Sequence, residues 1–148
     1  MRVTDDQVAA LHSQLAGEPP EEHLQLFNKL DETDNVGYAA LLAAGLFEAI
    51  QRRFAQEGRS ADRREIVDFI ATAREKDDEA PDTINPDVAE RIILHALGQG
   101  TIADIDDKTV LAHQIILLAA LVAQEHYTKA ELEAFMSQIR ADAEEMLE

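Results

Sequence analysis

The chain has 148 residues, 46% of them hydrophobic, and its 30 Asp and Glu against 13 Lys and Arg leave a formal net charge of −17. A chain of this length buries roughly 70% of the surface it exposes when unfolded, so a single helical domain over 1–148 can hold its own core. There is no cysteine, which excludes disulfides, thiolate metal sites and a cysteine nucleophile. The negative field opposes nucleic acid and anionic membranes and leaves a protein partner or a homo-oligomer as the expected association. The opening MRVTDDQVAA lacks the apolar stretch of a secretory signal, so the expected location is cytoplasmic.

Thr4 is placed to cap a first helix, with Asp5 and Asp6 near its positive end and Val8, Leu11 and Leu15 as its apolar stripe. Gly17 and the pair Pro19-Pro20 stop it, and Pro20 suits the first turn of a second helix through Leu24, Phe27 and Leu30. Asp31 to Gly37 reads as a turn. It has the carboxylates of a calcium loop without the frame: Val36 and Leu42 stand where an EF-hand needs Gly and Glu.

From Tyr38 to Gln56 the spacing predicts a long helix with Ala39, Ala43, Leu46, Ile50 and Phe54 on one face. Gly58 ends it. Asp62 and Glu65 then form a capping-box pattern ahead of a helix whose core positions are Ile66, Phe69, Ile70 and Ala73. Residues 75–86 read as a polar linker. A fifth helix follows through Ala89, Ile92, Ile93 and Ala96, stopped by Gly98 and Gly100.

The most apolar stretch is Thr109 to Tyr127, which contains the unbroken run Ile115 to Ala123. That run has about half of the ~18 residues a membrane-spanning helix needs. Leu111, Ile115, Leu118 and Val122 make a bulky face beside a strip of Ala112, Ala119 and Ala123, so the middle of this helix has no wet side. Thr128 and Glu131 form a second capping-box pattern before a last helix that buries Leu132, Phe135, Met136 and Ile139. The acidic tail 141–148 is expected to fray.

Period-two alternation never persists, whereas a period near 3.6 recurs along the chain. The reading is therefore all-α: a compact bundle of six to seven helices, with Tyr38–Gln56 and Thr109–Tyr127 at its centre. A shift of 66 residues lays Asp62, Glu65, Phe69 and Arg74 on Thr128, Glu131, Phe135 and Arg140, and suggests two similar three-helix halves at about 20–82 and 86–148.

The order of helices and the turn Phe54-Ala-Gln-Glu-Gly58 before a capped helix resemble the tellurite-resistance TerB-type domains, acidic all-helical proteins with two similar halves. The likeness covers one turn and the helix order. Where that family has an Asp-Gly turn with ligand carboxylates in each half, this chain has Glu57-Gly58 once and Glu125-His126 in the second half. The resemblance therefore does not carry a metal site over.

No catalytic constellation stands out. The five histidines, at 12, 23, 95, 113 and 126, are nowhere spaced i, i+3 or i, i+4, and none follows a glutamate by three as in di-iron helices. Ser13, Ser60 and Ser137 lie in no nucleophile elbow, and the six glycines are too scattered for a phosphate loop. His113 and Gln124, on one strip of the apolar helix, are the candidates for a polar pocket. The strongest local anomaly is basic: Arg52, Arg53, Arg59, Arg63 and Arg64 surround one turn.

The expectation is a non-catalytic, acidic protein–protein interaction domain (an adaptor, an inhibitor or an assembly partner) that uses the arginine patch and needs no cofactor or metal. The alternative is a ligand- or metal-binding helical protein with a pocket between the two central helices near His113.

Overall fold

The structure is a computed structural model that describes residues 3–17, 20–28, 30, 35–55, 62–76 and 84–147. Among them are seven helices and no strand: α1 (Asp5–Leu15), α2 (Pro20–Asn28), α3 (Asn35–Phe54), α4 (Arg63–Lys76), α5 (Pro86–Ala96), α6 (Asp107–Glu125) and α7 (Lys129–Met146). No helix among the described residues is long and apolar enough to cross a membrane. The chain divides into two compact units, Met1–Leu46 with Val122–Glu148, and Phe47–Leu121.

In the first unit α1 packs on α2 and more lightly on α7. Thr4 and Gln7 close a full capping box at the start of α1, and Thr128 and Glu131 do the same for α7. Each box satisfies two backbone N–H groups that a helix start otherwise leaves without partners. Leu11, Leu41, Leu42, Phe135 and Ile139 are fully buried here, and the Tyr127 and Phe135 rings lie 5.8 Å apart. Arg140 ties the start of the chain to α7: its guanidinium donates to the Val3 carbonyl at 2.9 Å and to Asp5 at 2.8 Å.

α3 begins at Asn35, three residues before the predicted Tyr38, so Gly37 lies inside the helix and does not close a turn. The glycine there leaves room for a neighbouring side chain. A Cβ on Gly37 would stand 2.6 Å from both ends of the buried Gln7 carboxamide. At the end of the chain α7 runs on to Met146, and Ala143 is fully buried.

In the second unit α4 packs on α5. Phe54 and Phe69, both fully buried, meet edge to face at 5.9 Å, the geometry that aromatic quadrupoles favour. Ile50, Ile66, Ile93, Leu117 and Leu118 complete this core. At the end of α5, the Ala96 carbonyl accepts a hydrogen bond from the Gln51 side chain at 3.4 Å.

Along α6 every residue from His113 to Val122 is buried or half-buried, so its middle has no wet side, as its composition predicts. The stripe differs in detail. Leu111 is 44% exposed, and Leu117 and Leu121 are buried instead. On α3 Ala39 likewise faces solvent, while Leu42 and Ala49 join the core. The division into units also cuts across the halves 20–82 and 86–148, because the first unit joins both ends of the chain.

Candidate functional site

The arginine turn belongs to the second unit. Arg52, on the last turn of α3, is held by Glu48 one turn back, Nε to Oε1 at 2.8 Å. Arg53 lies over the Phe69 ring at 6.0 Å from its centroid, within reach of a cation–π attraction. Arg63 donates through Nε to Glu90 on α5, so this pair ties the two packed helices. Arg59 lies outside the described residues.

Arg64 is different. Its backbone N–H caps α4 by donating to Asp62 Oδ1 at 3.0 Å. Its side chain is exposed, and among the described residues it has no hydrogen-bond or ion-pair partner. Arg63 and Arg64 occupy the first two positions of α4, where the partial positive charge of the helix end repels a cation. Val67, 45% exposed, lies one turn on from Arg64 along the same face.

His113 is buried, with both ring nitrogens in use. Nε2 accepts from the Asn85 backbone N–H at 3.0 Å, and Nδ1 lies 2.8 Å from the Thr109 carbonyl, to which only an N–H can donate. The ring therefore carries its hydrogen on Nδ1 and joins α6 to the residue that caps α5. Gln124 lies eleven residues further along α6, in the part of that helix that belongs to the first unit.

Elsewhere in the second unit, Arg91 donates to Asp104 and, at 2.8 Å, to the Thr101 carbonyl. The guanidinium beside it holds the Asp104 carboxyl below the ordinary carboxylate range. A cleft of about 320 Å³ nearby is lined by Arg63, Arg91, Asp87 and Glu90, so its cations face carboxylates.

Two larger clefts lie in the first unit. One, of about 630 Å³, has Asp5, Glu133 and Arg140 on its walls. The other, of about 590 Å³, is lined by His12, His126 and Lys129 above an apolar floor that includes Leu15, Val122 and Leu132, with no carboxylate among the described residues. These three basic residues escape a search for histidines paired on one helix, because α1 and the turn after α6 bring them together. A local signal was present: the α6–α7 connection has no glycine, and His126 takes the left-handed φ of 52° that a glycine there would take freely.

No group of three or more His, Asp or Glu able to hold a metal ion occurs among the described residues. The chain matches no family model, no curated protein and no solved structure.

Proposed function

We propose that this chain is a non-catalytic, acidic helical protein–protein interaction domain, an adaptor, inhibitor or assembly partner, whose contact surface is the arginine turn ahead of α4. The observation that carries this reading is Arg64: an exposed cation at the positive end of a helix, without an internal partner among the described residues. Placed for the fold, that position favours an acidic side chain. A guanidinium offers a planar fork suited to a carboxylate, and the exposed Val67 beside it adds apolar area. An acidic segment of a protein partner, or the acidic surface of a second copy, fits such a surface. Nucleic acid and anionic membrane would have to approach against the net charge of −17.

Arg64→Glu removes the cation and suits the helix dipole better, so the variant should melt no earlier than wild type. Association, measured by sedimentation and by capture of partners from lysate, should weaken about tenfold. The loss should shrink with added salt, because the Debye length falls from about 10 Å at 0.1 M to about 3 Å at 1 M. Arg63→Glu serves as the contrast. It breaks the pair with Glu90 and should lower the melting temperature as well. If Arg64→Glu keeps the oligomeric state and every partner of the wild type, the arginine turn is not the contact surface.

A further inference from the structure

The second cleft of the first unit, which no carboxylate lines among the described residues, points to a ligand of its own, independent of the arginine turn. Its volume of about 590 Å³ falls within the range of small-molecule sites, roughly 300 to 1,000 Å³. Its walls are of two kinds. The floor is apolar, with Val122 and Leu132 buried and Leu15 half-buried. The rim carries the imidazoles of His12 and His126 and the ammonium of Lys129. Among the described residues none of these three side chains has a hydrogen-bond or ion-pair partner.

Among the described residues no carboxylate lines these walls, in a chain with 30 Asp and Glu. The neighbouring cleft, which shares His12, has Asp5 and Glu133, and its Arg140 is committed to Asp5, Val3 and Glu144. Beside the basic rim, the carboxylate of Glu131 is turned to the Thr128 N–H that it caps.

Two of the rim residues also stand where the fold itself prefers something else. His126 adopts a left-handed backbone, φ 52°, that strains an L side chain and suits glycine. Lys129 occupies the first position of α7, a cation against the positive end of the helix. Both departures fall on one cleft, and both supply donors to it: a lysine ammonium donates in three directions, and an imidazole presents at least one N–H in either tautomer.

We propose that this cleft binds a small amphipathic carboxylate, its hydrocarbon part on the apolar floor and its carboxylate held by His126 and Lys129, with His12 closing the far side. Binding is non-covalent. The apolar part supplies the burial, and the charge-assisted hydrogen bonds select an acid over the alcohol of the same skeleton.

The test uses the full chain and two matched pairs of probes, octanoate against octanol and phenylpropanoate against phenylpropanol, titrated while backbone amide and methyl NMR signals are followed. Saturable shifts centred on Leu15, Val122, Leu132 and the turn 126–129 are expected for at least one of the acids. Its alcohol should bind about tenfold more weakly, the loss of one charge-assisted hydrogen bond. His126→Gly deletes the imidazole and relieves the positive φ, and Lys129→Glu reverses the charge and improves the helix start. Both variants should therefore melt at or above the wild-type temperature while losing about tenfold or more in affinity. If His126→Gly fails to fold, Lys129→Glu decides alone. The proposal is overturned if neither acid gives saturable shifts at this cleft, if each alcohol matches its acid, or if a folded Lys129→Glu retains wild-type affinity. Arg64 lies in the other unit, so Arg64→Glu should leave this binding unchanged, and failure here leaves the arginine surface standing.

Discussion

Gln7 decides what can stand opposite it. Its Oε1 accepts from the Thr4 N–H at 2.8 Å, which pins the side chain of a residue only 1% exposed, and its backbone N–H donates to Thr4 Oγ1 at 3.2 Å. Gly37 leaves room for it. Gly37→Ala should force the carboxamide aside and cost about 1–3 kcal/mol, despite the better helix propensity of alanine. Chemical denaturation checks this; a loss under about half a kcal/mol, the usual surface result, would mean that Gln7 yields freely. Glu131 makes the same kind of bond with a charge, accepting from the Thr128 N–H at 2.9 Å. The Thr128 backbone and then its hydroxyl lower the Glu131 pKa below its ordinary value. With the folded pKa below the unfolded one, the contribution is present above the unfolded value and lost as pH falls through the folded one. Glu131→Gln keeps an acceptor and removes the titration. Its stability should fall less steeply on acidification than that of wild type, and parallel acid limbs would show that the cap contributes nothing through its charge.

The helices differ in how much of their burial follows from their own residues. α4 and α7 each carry an apolar stripe along one face, and Ile66, Phe69, Ile70 and Ala73, like Leu132, Phe135, Met136 and Ile139, are buried where the period near 3.6 places them. α6 is apolar nearly all round, so its periodicity cannot rank its faces. Leu111, grouped with the bulky face by spacing, is 44% exposed, whereas Leu118 is fully buried. Leu118→Ala should therefore cost about 2–5 kcal/mol, and Leu111→Ala no more than about half a kcal/mol. Equal losses in denaturant would place Leu111 in a core that this structure does not give it. α4 and α7 share a second feature, since the 66-residue register lays Arg63 on Lys129. Each helix thus starts with a cation behind a capping Asp62 or Thr128, against its dipole.

For the chain as a whole, the 30 acidic residues set a negative field, and the proposed contacts rest on a few placed cations. Five arginines near one turn were visible in the residues, but their division was not: Arg52 turns back to Glu48, Arg63 reaches Glu90 on another helix, and Arg64 is left outward. His113 was legible as a buried polar residue on an apolar helix, yet its two backbone partners, Asn85 and Thr109, make it a brace. The sequence by itself determined the all-α class, the caps at Thr4 and Thr128 and the dry middle of α6, because each depends on residues within a few turns along the chain. Only the tertiary structure decided that Gly37 faces Gln7, that the chain's two ends share one unit, and that His12, His126 and Lys129 rim one cleft. Those relations join residues far apart in the chain, and no local periodicity encodes which distant side chain a folded backbone will bring near.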